Sequence, residues 1–441
     1  MVVAGGAALF VGDAGPHRPH RPHRPRPPAA SIAGADLAPA AVPAPEDPAS
    51  SEDPASSLET SVVGIATAAP RPGPRPGMLG ALRSTAPLGS MIDLDRITRI
   101  ADHYEAPLRD GRRAILTLDP ELQPLAEQLL IESRAPKGGI GVMATDGRIL
   151  ALAGRHTEDP KGSREGTFDW RLATDVWAPA ASVFKLVTAS ALVGAGVDPT
   201  APVCFHGGVR SVRESNLVDH KQDGRCESLA FGVAHSNNAI LGKLAYQKLE
   251  PDTLDSVARK LGLAGALPGD QLPGNVGAIA IPTTRDLSFA RTAAGFSGAE
   301  LSVAGGALLA ATFANDGMQP VPRLIASIDG ATAPSAAPHR VLPIDTAKAV
   351  AKMMVGTCEN GSAARSFRKG PKLRVAGKTG TLTRDDPYYI EHSWFVGFAP
   401  YEKPEIIVSV LFGNPESWHL RGHEGARRLV DRALRPPKPK S

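Results

Sequence analysis

Hydrophobic and polar positions change character along the chain. Residues from about 13 to 88 are low in complexity and dense in proline, and ordered patterning begins near Met91. Ile92 to Tyr104 shows a mixed helical period. Ala114 to Leu118, AILTL, reads as a strand, and Asp119-Pro120 opens a helix with Leu122, Leu125, Ala126, Leu129 and Leu130 on one face. The apolar runs Gly139 to Ala144 and Ile149 to Ala153, separated by Asp146-Gly147, predict a hairpin. A polar loop, about Arg155 to Arg171, leads to Ala180 to Gly196, apolar on nearly every side and therefore a buried helix. Beyond a polar, turn-rich stretch from Pro202 to Arg225, helices are expected over Leu229 to Leu249, Asp255 to Leu261 and Leu301 to Ala314, and over Ile344 to Val355 with a stop at Gly356. Leu373 to Thr383, Trp394 to Ala399 and Glu405 to Phe412 read as successive strands of an antiparallel sheet, closed by a helix from Gly422 to Leu434.

Composition limits what this pattern builds. Of 441 residues, 42% are apolar, enough for a sizeable core. The net charge of +4 is mild, and much of the basic excess sits in Arg-Pro and Lys-Pro runs at the ends, so no nucleic-acid partner is expected. Three HRP repeats from His17 to Pro25, EDPASS twice (from Glu46 and Glu52) and RPGPRPG from Arg71 read as an extended, solvated spacer rather than a metal-binding array. The first twelve residues are apolar but too short to span a bilayer; they read either as the remnant of a membrane anchor or as an apolar tip. The three cysteines form no Cys-x-x-Cys pair, so no metal site is expected. Cys204 and Cys226 leave two readings open: a disulfide closing a loop of about twenty residues, or two buried thiols.

Candidate chemistry starts in the buried helix. Ser182 and Lys185 stand three apart, on one helical face and close enough for a hydrogen bond. Burial disfavours the charged amine, and a neutral amine beside a hydroxyl is a base beside a nucleophile. Ser182 also falls where the helix begins, among backbone N–H groups suited to a developing oxyanion. Such a pair arises by chance roughly once in a chain of this length, and Ser366 with Lys369 is a second example, read as a solvated turn. A second polar cluster, Ser236 and Asn238, lies among apolar neighbours; helix capping alone would explain it. A third, Lys378-Thr379-Gly380-Thr381, lies on a strand. There Gly380 signals a close approach, and Lys378 and Thr379 offer a cation and a hydroxyl to a carboxylate.

Ser-x-x-Lys, Ser-x-Asn and Lys-Thr-Gly in this order resemble the motif set of penicillin-binding proteins and class A β-lactamases. The chain strongly resembles the transpeptidase domain of penicillin-binding proteins over roughly Ala114 to Leu434, including LTLDPELQ, GAELSVAGGALLAATFANDG and WFVGFAP. The resemblance implies an α+β fold, an α/β/α sandwich with a five-stranded antiparallel sheet flanked by helices and an all-helical subdomain. It implies a body over 114–435, preceded by the spacer (1–88) and a connecting segment (89–113) and followed by a disordered tail (436–441). Residue by residue, Ser182 matches the acylated serine and Lys185 its base. Ser236 matches the proton-relay serine, and Asn238 the positioner of lysine and substrate amide. Lys378, Thr379, Gly380 and Thr381 match the carboxylate-binding strand, and the N–H groups of Ser182 and Thr381 the oxyanion hole.

The implied reaction is D,D-transpeptidation of peptidoglycan stem peptides without cofactor or metal. β-Lactams bind covalently, other cell-wall synthesis proteins are candidate partners, and the location is the periplasmic face of the cell envelope. Alternatives within the fold are a D,D-carboxypeptidase, a β-lactamase or a non-catalytic penicillin-binding sensor. No Glu-x-x-Leu-Asn pattern of class A β-lactamases lies between Ser236 and Lys378. Ala180-Ala181 stands where such families often have Pro-Gly, and the residues before Ala114 are too few for a glycosyltransferase domain.

Overall fold

The computed structural model describes residues 87–208, 211–368 and 373–435. The apolar start, the proline-rich spacer, Lys369 and the tail PPKPKS lie outside the described residues. The core is an antiparallel sheet of five long strands: β1 (Lys137–Ala144), β2 (Ile149–His156), β3 (Ala376–Arg384), β4 (Ile390–Ala399) and β5 (Ile406–Asn414). Their spatial order is β3-β4-β5-β1-β2, with a two-residue sixth strand, Thr167–Phe168, beyond β2. The hairpin expected at Asp146-Gly147 joins β1 to β2. In register, Lys378 faces Val396, then Ser409, Gly141 and Leu152 across the sheet, and β3 is an edge strand.

Helices cover both faces because the strands alternate. Phe395, Val408, Val410 and Phe412 point to one face, where they meet Leu129 and Leu130 of α1 (Leu122–Ser133) and Leu429 of α8 (Gly422–Ala433). Trp394, Val396, Phe398 and Leu411 point to the other. There they meet α6 (Val303–Ala314), apolar and buried along almost its whole length. The same core extends into a helical part built on α2 (Lys185–Gly194), α3 (Leu229–Ala234), α4 (Asn238–Lys248), α5 (Leu287–Ala293) and α7 (Ile344–Glu359). The result is an α+β sandwich with a helical subdomain. Among the described residues no helix is long and apolar enough to cross a membrane.

Three local expectations change. Ile92 to Tyr104 is not helical: a 3-10 turn, Leu94–Arg96, leads to strands Thr98–Ile100 and His103–Pro107. Pairing with Arg113–Leu116, and of that strand with Ile325–Ile328, overrides the weak helical period. Leu229 to Leu249 is two helices, broken at Ser236, whose φ is +55°. α7 runs past Gly356 to Glu359. A Cβ at Gly356 would stand 3.0 Å from the Ala234 Cβ, so this glycine lets α3 approach rather than ending the helix.

The stretch after α2 is held by a short antiparallel pair, Val203–Phe205 with Arg225–Glu227, in which Cys204 faces Cys226 and the two form a disulfide. Lys243 reaches the carbonyl of Cys204 at 2.9 Å and Asp223 at 2.7 Å, tying this stretch to α4. Cys358 is the free cysteine and is buried. Unfolding the unreduced protein in denaturant is therefore expected to expose a single alkylatable thiol, with three labelled after reduction. Three labels without reduction would contradict the pairing, which is worth about 3 kcal/mol in the chain-entropy account.

Candidate active site

Three segments distant in sequence converge at the junction of sheet and helical part. The first is a 3-10 turn, Ala181–Phe184, that runs directly into α2. Ala181 takes φ +49°, a left-handed value uncommon for alanine. Ser182 lies in this turn, where N–H groups have no acceptor earlier in the helix. Lys185, the first residue of α2, is completely buried. Its Nζ lies 2.7 Å from Ser182 Oγ, 2.8 Å from Asn238 Oδ1 and 2.5 Å from the carbonyl oxygen of Ala294. Ala294 follows α5, where backbone carbonyls lack helical donors; Thr188 of α2 bonds the adjacent carbonyl, Ala293, at 2.8 Å.

Burial holds the Lys185 amine well below the usual lysine range, and the nearby Lys378 cation adds to the shift. The contacts suit the neutral form. A neutral amine has two N–H donors and one lone pair. In that form Asn238 Oδ1 and the Ala294 carbonyl accept the two N–H bonds, and the hydroxyl of Ser182, 2.7 Å away, can donate to the lone pair.

The second segment is the break between α3 and α4. Asn237 caps α4, its side chain accepting the Ile240 N–H at 3.0 Å. The capping role considered for Ser236 and Asn238 thus falls to the residue between them, and both neighbours turn to the site. Ser236 Oγ accepts from Lys378 Nζ at 3.0 Å. The third segment is the edge strand β3. Lys378 is fully buried, and burial pushes its amine down to about 7. It also donates to the Thr379 carbonyl at 2.9 Å. A Cβ at Gly380 would lie 3.1 Å from Trp394 Cβ on the neighbouring strand and 3.3 Å from both Ala181 Cβ and Val183 Cγ2, so the close approach expected at this strand glycine includes the turn that carries Ser182. Trp394 of β4 donates its indole N–H to the Pro179 carbonyl at 2.9 Å, a further tie between sheet and turn.

Two participants are not among the residues expected from the pattern. One is the Ala294 carbonyl, since a backbone acceptor leaves no mark in the sequence. The other is Ser362, whose Oγ lies 2.6 Å from Thr379 Oγ1 and whose N–H donates to Ala234 O. Its place after Asn360-Gly361, just ahead of the Lys-Thr-Gly strand, was the available cue. Ser366 lies elsewhere, its hydroxyl 2.8 Å from His423 Nδ1. Among the described residues no group of three or more His, Cys, Asp and Glu side chains is arranged to hold a metal.

The chain is similar in sequence and fold to known proteins. Peptidoglycan D,D-transpeptidase PbpA of Mycobacterium tuberculosis is 25% identical over 350 residues, which span 72% of this chain and 70% of that protein. Stage V sporulation protein D of Bacillus subtilis is 26% identical over 367 residues, 77% of this chain and 55% of that protein. The solved D,D-transpeptidase domain of a peptidoglycan glycosyltransferase from Eggerthella lenta superposes with a TM-score of 0.58 at 25% identity, covering 74% of this chain and 83% of that one. A ceftriaxone acyl-enzyme of M. tuberculosis penicillin-binding protein A shares the fold, with a TM-score of 0.60 at 22% identity over 74% of this chain and 80% of that one. The family model described as the penicillin binding protein transpeptidase domain matches residues 138–430, a span that holds all three converging segments, and the chain belongs to that family.

Proposed function

We propose that this chain is a peptidoglycan D,D-transpeptidase that works through a serine acyl-enzyme. The observation that carries the reading is the buried Lys185 amine, whose Nζ lies 2.7 Å from Ser182 Oγ. Ser182 is the nucleophile. As Oγ attacks the carbonyl between two D-alanines, its proton passes to Lys185 Nζ, and the oxyanion is met by the N–H groups of Ser182 and Thr381. Lys378 and Thr379 hold the terminal carboxylate, with Gly380 leaving room for the turn. Ser236, bonded to Lys378, hands its proton to the departing D-alanine amine and takes in return the proton held by Lys185, which becomes neutral again. An amine on a second stem then takes the acyl group, Lys185 serving again as base and Asn238 holding both Lys185 and the donor amide. A β-lactam places its own carboxylate and strained amide in the same positions. The reading puts the chain in the cell envelope, outside the cytoplasm, where its substrate lies and where a Cys204–Cys226 disulfide persists.

Labelling with a fluorescent penicillin tests the assignment. Wild type is expected to take a stable label and Ser182→Ala none; unchanged labelling of Ser182→Ala would remove the nucleophile assignment. Rapid loss of the label would instead favour a β-lactamase, and release of D-alanine to water with no cross-linked product a carboxypeptidase.

The two lysines also set a pH profile. Lys185 acts neutral, so acylation rises with pH through its lowered pKa, below the ordinary range of about 10.4. Lys378 acts charged, so second-order acylation falls as pH passes about 7. Lys378→Arg, whose guanidinium stays charged, is expected to remove that fall. A wild-type rate still climbing at about pH 10 would contradict both assignments.

A further inference from the structure

Thr379, assigned above to the ligand carboxylate, has a neighbour outside the three motifs. Ser362 Oγ lies 2.6 Å from Thr379 Oγ1, within hydrogen-bonding range for two hydroxyls. Ser362 stands in the turn between α7, which ends at Glu359, and the short helix Ala364–Phe367. Its backbone is tied on two sides. Its N–H donates to the Ala234 carbonyl at 3.0 Å, and the N–H of Ala363 donates to the Thr357 carbonyl at 2.9 Å. A Cβ on Gly361 would come within 2.1 Å of Ala234 O, so the glycine before Ser362 lets the end of α3 lie this close.

The contacts close on themselves. Ala234 stands two residues before Ser236, and Ser236 Oγ accepts from Lys378 Nζ at 3.0 Å. Lys378 precedes Thr379 on β3, and Thr379 returns to Ser362. Ser362 thus links both carboxylate-binding side chains to the end of α3.

The chemistry of the hydroxyl pair sets a direction. Each hydroxyl has one proton to donate and two lone pairs that accept. In the free protein either of the two can be the donor. A carboxylate only accepts, so a ligand anion at Thr379 takes that residue's single proton. The bond between the hydroxyls is then kept only if Ser362 donates and Thr379 Oγ1 accepts. A hydroxyl that accepts one hydrogen bond donates the next more strongly, so a chain from Ser362 through Thr379 to the carboxylate is mutually reinforcing. Ser362 is exposed, so removing its hydroxyl is expected to cost the fold little.

We propose that Ser362 is a positioning residue for carboxylate recognition: its hydroxyl donates to Thr379 Oγ1 and so commits the Thr379 proton to the carboxylate of a stem peptide or β-lactam. The inference rests on the acyl-enzyme reading above. The probes are benzylpenicillin and its methyl ester, which lacks the anion. The second-order acylation rate is measured for each, and the readout is the acid-to-ester ratio within one variant.

Ser362→Ala is expected to lower that ratio roughly 3- to 10-fold, the worth of one hydrogen bond, while the ester rate stays near wild type. Ser362→Thr, which keeps a hydroxyl, is expected to restore it. In a Thr379→Val background, Ser362→Ala is expected to change the ratio no further, because the residue it acts through has lost its hydroxyl. A wild-type ratio in Ser362→Ala, or an equal fall in the Thr379→Val background, would overturn the proposal. Acid and ester rates that fall together would overturn it too, since they mark a structural role alone. Wild-type protein acylated by neither compound would remove the acyl-enzyme reading itself, and this proposal with it.

Discussion

The structure depends on keeping one amine out of water without a counter-ion. Lys185 is fully buried, and its three polar neighbours are a hydroxyl, an amide oxygen and a backbone carbonyl; none of them is an anion. A charged amine in such a place is costly, so burial lowers the affinity of this nitrogen for a proton. In the proposed reaction that cost becomes useful beside Ser182. A lysine in solvent is protonated at neutral pH and cannot accept the proton that a serine must lose.

Neutrality alone does not place the lone pair; the neighbours do, and each comes from a different part of the fold. α2 carries Ser182's turn and Lys185, α4 brings Asn238, and the end of α5 brings the Ala294 carbonyl. The edge strand β3 then closes the site against this helical group. Contact at Gly380 and the Trp394 bond to Pro179 fix how far the strand stands from the turn. Left-handed backbone at Ala181 and Ser236 turns the chain where both serines lie. Residues in such conformations persist only where surrounding packing holds them, and they gather at functional sites.

Much of this was legible in the sequence for a physical reason. Ser182, Lys185, Ser236, Asn238 and Lys378 are polar residues in strongly apolar settings, and such residues need partners. The long strands and buried helices carried clear periods. What stayed hidden depends on tertiary contact. The Ala294 carbonyl has no side-chain signature, and Ser362 looks like an ordinary turn residue until Thr379 is beside it. Gly356 reads as a stop unless one knows that α3 crosses there. Strands such as Thr98–Ile100 and Ala299–Leu301 are too short to show a period of two, and they form because a neighbour pairs with them.

The central claim concerns the charge on one nitrogen, and that charge can be read directly. Protein labelled with carbon-13 at lysine Cε gives one resonance per lysine, and loss of a peak in Lys185→Arg identifies the one of interest. The account predicts that this Cε resonance titrates well below the ordinary lysine range and reports an uncharged amine at neutral pH. A Lys185 that keeps its proton up to the range of the exposed lysines would contradict it.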